Sequence, residues 1–267
     1  MVLNNDEPGL PYVGVKLEIV DEHVALVTLD RPAKRNAINP AMAQALDTMV
    51  KETERDPAIR AVVIASSSDV FCAGADLSEI AKGNAAGLRT RDGGFAGLTF
   101  AAHTKPWIAA VSGPALAGGT EIVLNCDVVV ATKAARFGLP EAKRGLVAGA
   151  GGVFRAARTL PRNVALELVV TGEPIDAERA WQLGLVNHLV EREALLHRAL
   201  EIARSIAANA PLAVAASLSI ARTSQERTDA ELRLAAAEAV VQILTTEDSR
   251  EGARAFVEKR DPVWLGR

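Results

Sequence analysis

Short β-branched runs recur along the first two thirds of the chain, alternating with helix-like pieces and in two places followed by a glycine turn, and they constrain the fold more than any other feature. RAVVIASS leads into FCAGADLSEI, PWIAAVSG leads into PALAGGTEIVLNC, and DVVVAT then resumes the series. Such a run has the character of a buried strand, and strands alternating with helical pieces imply an α/β core. The series starts with GVKLEIV and HVALVTLD, which alternate apolar and polar residues around Asp21 and Glu22 as a hairpin does. After the basic loop RPAKRNAINP, Met42, Leu46, Met49 and Val50 recur at helical spacing. From about Asp176 the pattern turns to helix with little strand: Ala-rich segments around 192–209, 211–223 and 228–245, then SREGARAFVEKRDPVW. The expected organisation is a core over residues 1–200 and a helical region over 201–267.

Charge and cysteine content narrow the function. Thirty basic against thirty-three acidic side chains leave a formal charge of −3, which offers no general attraction for nucleic acid or an anionic membrane. Any anionic ligand must be held locally. Cys72 and Cys126 are too few for a disulfide framework, and MVLNNDEPGLPYVG lacks the basic and apolar regions of a leader, so a cytoplasmic location is expected. Trp107 to Ala131 is apolar enough to suggest a membrane span, but Pro114, several glycines, Glu121 and Asp127 mark it as buried core.

Most motif candidates have blander readings. GAGGVF fails as a dinucleotide fingerprint because Phe154 stands at the third glycine position, and a tight turn opening a helix is expected there. His23, His103, His188 and His197 are scattered without metal spacing, so no metal site is expected. Cys72 reads as a small buried residue rather than a nucleophile.

Two glycine turns and two glutamates are harder to dismiss. FCAGADL and PALAGGTE each follow a strand and open a helix, so each presents backbone N–H groups that can face an oxygen gaining negative charge. Glu121 is three residues after Gly118, and Glu141 follows Pro140 at the end of another apolar stretch. A carboxylate in such surroundings needs a partner or a raised pKa; Lys143 or Arg144 would serve for a buried ion pair. Two amide donors with two carboxylates otherwise form a centre for proton transfer next to a carbonyl.

Four stretches, LDRPAKRNAI, FCAGADL, ALAGGTEIVLNCD and FGLPEAKRGLVAGAGG, together resemble the crotonase, or enoyl-CoA hydratase, superfamily in order and separation. GGFAGL, LPEAKRGL and EKRDPVW look most like the subgroup that includes crotonobetainyl-CoA hydratases. The resemblance implies an α/β crotonase (ClpP-like) spiral of ββα units, a helical C-terminal trimerisation region, and homotrimers paired into hexamers. It implies addition of water across the 2,3-double bond of a trans-2-enoyl-CoA, a lyase step of fatty-acid β-oxidation, with no cofactor because the coenzyme A thioester is the substrate. Carried over by position, the amides of Ala75 and Gly118 form an oxyanion hole, and Glu121 and Glu141 are the acid/base pair. The loop with Arg31, Lys34, Arg35 and Ala37 matches the segment holding the nucleotide end of coenzyme A. Ala73, Gly74, Ala75, Asp76 and Leu77 border the pantetheine and acyl path, while Lys259 and Arg260 lie in the tail brought near the nucleotide. Trp107, larger than the residue the family often has after this Lys-Pro pair, bears on chain-length preference. A same-fold isomerase would require only the carboxylate at Glu141.

Overall fold

A computed structural model describes residues 13–267. The segment inspected for a leader lies, through Tyr12, outside these residues. β1 (Val15–Asp21) and β2 (Val24–Leu29) form the expected hairpin, with Leu17 opposite Val27. α1 (Pro40–Arg55) begins where the Asn39 side chain accepts the Met42 N–H and Pro40 occupies the first turn, whose amides need no internal partner. β3 (Ala61–Ser66), α2 (Leu77–Ala81), β4 (Arg89–Thr90), β5 (Gly94–Phe95) and β6 (Trp107–Val111) follow. Next come β7 (Ala115–Leu116), α3 (Gly118–Val123), β8 (Val128–Thr132) and β9 (Arg136–Gly138). α4 (Gly152–Thr159), α5 (Arg162–Thr171), β10 (Ile175–Asp176), α6 (Ala177–Gln182) and β11 (His188–Val190) complete the α/β region. α7 (Leu195–Ala207), α8 (Pro211–Arg222), α9 (Asp229–Leu244) and α10 (Glu247–Glu258) then run to the end.

The main sheet has the order β1-β2-β3-β6-β8-β11, and every pair after the hairpin is parallel. Parallel strands need helices on both faces, which is why these runs are continuously apolar. One face carries Leu26, Val63, Ile108 and Val130 against Leu195, Ala199, Ala203 and Ala207 of α7, whose four-residue spacing keeps small side chains toward the sheet. The opposite face carries Val27, Ile64, Ala109 and Ala131 into the larger core with α1.

A second, inner layer makes the fold a spiral. β7 pairs in parallel with β9, β9 pairs with β10, and the isolated bridges Ile38–Ala75 and Cys72–Ala115 continue the stack backward along the chain. Each turn therefore runs from a long strand to a short inner strand to a helix: β3, the Cys72–Ala75 stretch and α2, then β6, β7 and α3. This is the crotonase architecture of ββα units, with a C-terminal helical region. Beyond about Asp176, where helix with little strand is expected, one short strand is present. His188–Val190 pair with Val130–Thr132 as β11, and the Asn187 side chain accepts the Val129 N–H at 2.8 Å. Three residues are too few for a period of two to register.

Candidate active site

The two glycine turns meet because each is stitched to the other. Phe71 and Cys72 donate to Pro114 O, and Leu116 donates to Cys72 O at 2.9 Å. Gly74 has φ +92°, and a Cβ there would stand 2.7 Å from Ala117 Cβ and 3.0 Å from Gly118 N. Only a residue without a side chain permits this approach. In the first turn, Ile38 N–H donates to Gly74 O and Asp76 N–H donates to Ile38 O. The alternation of strand amides turns the Ala75 N–H away from that bridge. In the second turn, Gly118 is the first residue of α3, where the N–H has no intrahelical acceptor. Ala117 before it sits at φ 52°, ψ −125°, a backbone conformation costly for alanine that aims the following amide. Ala75 and Gly118 both line one cavity of about 460 Å³.

Glu121 and Glu141 line the same cavity. Glu121 is 4% exposed, and its Oε1 accepts N–H bonds from Ala150 at 2.7 Å and Gly152 at 2.9 Å. These donors replace the ion pair considered from the sequence: Lys143 pairs instead with Glu173, and Arg144 donates to Pro140 O. Burial pushes the Glu121 carboxyl up, while the two amides, Arg155 and Arg89 pull against that rise. Glu141 sits on a 3-10 turn, Pro140–Arg144, and its Oε2 is buried without a hydrogen-bond partner among the described residues. Burial lifts its pKa to about 7, opposed by its own backbone N–H, with the Glu121 charge adding to the rise and Arg144 also opposing it. The two carboxyls thus stand in opposite settings, one supplied with donors that favour the anion and one left with an oxygen that can carry a proton.

The rest of the lining is mostly apolar. Leu77, Leu88, Phe95, Leu146 and Val147 form its walls, with Arg89 and Arg144 as its cations. Trp107 is fully buried in β6 beside His103 and does not line the cavity, so it cannot limit chain length there by contact. Cys72 is fully buried, its thiol pushed up to about 12 by burial, which leaves it inert. Among the described residues no histidine lines the cavity, and no group of acidic, histidine and cysteine side chains has metal-binding form.

The basic loop lies beside the first turn, since Ala73 N–H donates to Arg35 O at 3.0 Å. Its charges are not equally free. The Arg31 guanidinium donates to Asp76 Oδ2 at 2.7 Å and to Ala37 O at 2.9 Å, whereas Lys34 and Arg35 are exposed. Asp76 caps α2 and is held near pKa 2 by its bond from Ser78 and then by Arg31. Asn36, fully buried, secures the loop by donating to Ser66 Oγ, Val70 O and Phe71 O while accepting the Arg31 N–H. In the tail, Arg260 is engaged by Glu251 and Glu258. Sequence reasoning missed Asn36, Arg89, Arg155 and the amides of Ala150 and Gly152. GAGGVF contained the last of these: it is the tight turn opening α4, but its N–H groups face a carboxylate of the chain itself.

The family of enoyl-CoA hydratases and isomerases matches residues 20–267, and the chain belongs to it. A carnitinyl-CoA dehydratase of Citrobacter koseri is 41% identical over 90% of this chain and 94% of its own. A mevalonyl-coenzyme A hydratase of Aspergillus fumigatus is 39% identical over 91% of each. The crystal structure of an enoyl-CoA hydratase from Mycobacterium tuberculosis H37Rv superposes with a TM-score of 0.90 at 39% identity, covering 95% of this chain and 99% of that one. The protein is a hydratase-type lyase of the crotonase fold.

Proposed function

We propose that the protein hydrates a short, uncharged trans-2-enoyl-CoA, with the thioester oxygen held by the amides of Ala75 and Gly118. Attack of water on C3 drives charge onto that oxygen, and each aimed N–H stabilises the enolate; losing one such donor typically costs about 10²–10³ in rate. Glu121 takes a proton from the attacking water. Glu141, protonated, gives its proton to C2, and a proton passed between the two carboxyls through water restores both for the next turnover. The reverse sequence dehydrates a 3-hydroxyacyl-CoA. The observation that carries this reading is the unequal pair itself: two amides on Glu121 and an unpartnered buried oxygen on Glu141. Neither a metal nor a redox cofactor enters the step, because the coenzyme A thioester is the substrate.

The cavity lining supports the choice of acyl group. Its carboxylates are Glu121 and Glu141, its aromatic ring is Phe95, and its remaining charges are the guanidinia of Arg89 and Arg144. A trimethylammonium tail of the carnitinyl kind would meet, among the described residues, two guanidinia and a single ring rather than an aromatic cage, beside the two carboxylates. A panel of butenoyl, longer enoyl and trimethylammonium-bearing enoyl-CoA esters, followed by loss of conjugated-thioester absorbance, tests this. Butenoyl-CoA is expected to have the highest kcat/KM; preference for the trimethylammonium ester would overturn the assignment of acyl group. Including a 3-enoyl-CoA separates hydration from double-bond migration, which needs one carboxylate only.

Phosphates of coenzyme A are met by Lys34 and Arg35, the exposed cations of the loop, while Arg31 braces Asp76. The enzyme acts in the reducing cytoplasm as homotrimers paired into hexamers, in the hydration step of fatty-acid β-oxidation. The apolar residues left exposed on the C-terminal helices support the assembly, Leu244, Phe256 and Val257 among them.

A further inference from the structure

Arg155, on the first turn of α4, is a half-buried cation with no carboxylate ion pair among the described residues. Burying a guanidinium without a salt bridge is unfavourable unless other contacts compensate. Here its carbon lies 5.3 Å from the ring centre of Phe100 and 5.6 Å from that of Phe154, and Nη2 donates to Thr99 O at 2.6 Å. Nη1 reaches Ala150 O at 3.4 Å, and the N–H of that same residue donates to Glu121 Oε1. Gly151 between them has φ +111°, and a Cβ there would stand 2.6 Å from Arg155 Nη1, so turn and guanidinium are packed against each other. Arg155 borders a separate cavity with Phe100, Cys126 and Phe154 and is absent from the lining of the active one. It stands behind the wall.

We propose that Arg155 is a positioning residue for Glu121, fixing the 148–152 turn whose two N–H groups hold Oε1 and supplying a compensating positive charge on the side away from substrate. The charged groups facing Glu121 are Arg155 behind it, Arg89 across the cavity, and Glu141. Those facing Arg155 besides Glu121 are Arg158 and Glu226, which pair with each other at 2.7 Å, and the Cys126 thiol, which burial keeps neutral. Without Arg155, the carboxylate keeps its burial but loses one of its two compensating cations. Its midpoint must then rise, and the base form is lost at higher pH.

The proposal rests on the hydratase reading, and two substitutions separate charge from structure. Arg155→Gln can still donate to Thr99 O, and Arg155→Lys keeps the charge. With butenoyl-CoA, the acid limb of kcat/KM is expected to move up by about one pH unit in Arg155→Gln and by less than about 0.3 in Arg155→Lys, KM at the optimum staying within about twofold. A folded Arg155→Gln whose acid limb coincides with that of the parent would overturn the proposal. So would failure of Arg155→Gln and Arg155→Met to fold while Arg155→Lys is fully active, since Arg155 would then serve the fold alone. Infrared difference titration of the Glu121 carboxyl, parent against Glu121→Gln, reads the same midpoint without substrate. An upward shift in Arg155→Gln is again required. A parent that lacks hydratase activity would sink the functional reading while this titration still decides the role of Arg155.

Discussion

Glu141 shows how position sets chemistry at the scale of one side chain. Pro140 starts the turn that carries it, and the turn leaves Oε2 buried with no hydrogen-bond partner among the described residues. With its pKa raised to about 7 mainly by burial, it is protonated on the acid side of neutrality and can donate to C2 there. Hydration kcat/KM is therefore expected to fall as pH rises through about 7, and Glu141→Gln should lack that basic limb in its residual activity. The same shift has a stability consequence of definite sign. A carboxyl whose folded pKa exceeds its unfolded value resists ionisation, so it weakens the fold as pH rises from the ordinary carboxylate range through about 7. Glu141→Gln should accordingly melt higher than the parent at pH 8, by about a few degrees, and no higher at pH 4, as thermal unfolding at the two pH values would reveal. A lower melting temperature at pH 8 would mean that the Glu141 carboxylate has a partner in the folded protein.

At the scale of elements, the site depends on two turns approaching closely and on one loop secured beside them. Gly74→Ala would bring a Cβ within 3.0 Å of the Gly118 amide and 2.7 Å of Ala117 Cβ at a backbone angle that disfavours alanine. The turns must separate, and kcat should drop by about 10²-fold or more, the size of a lost oxyanion donor, with a near-parental rate contradicting the geometry. The basic loop makes a milder claim. Lys34 and Arg35 are exposed point charges, so Lys34→Ala with Arg35→Ala should raise KM for the coenzyme A ester several-fold at low salt and leave kcat unchanged. The effect should fade at high salt and vanish for pantetheine thioesters, which lack the nucleotide. If pantetheine thioesters distinguish the double variant from the parent, this loop does not meet the phosphates.

At the scale of the whole molecule, the α/β spiral was legible because strand-like runs alternate with helix-like pieces and two of them end at glycine turns. The hairpin, β3, β6 and β8 all fall where the apolar runs lie. β11 was not legible, because three residues borrow their strand character from β8 beside them. Glu121 and Glu141 stood out as charges in apolar surroundings. Arg155 did not, since a lone arginine on an amphipathic helix reads as solvated until Phe100 and Thr99, more than fifty residues earlier, are seen against it. Leu244 on α9 is 65% exposed, and Phe256 and Val257 on α10 are 87% and 79% exposed. Light scattering at micromolar concentration should report a trimer or hexamer, and a monodisperse monomer would contradict that assembly. The division of labour between the two carboxyls is tested most directly by hydration of butenoyl-CoA by parent, Glu121→Gln and Glu141→Gln side by side. The parent should turn over, and each variant should lose at least about 10²-fold in kcat with KM within a few-fold. Near-parental kcat in both variants would contradict the account.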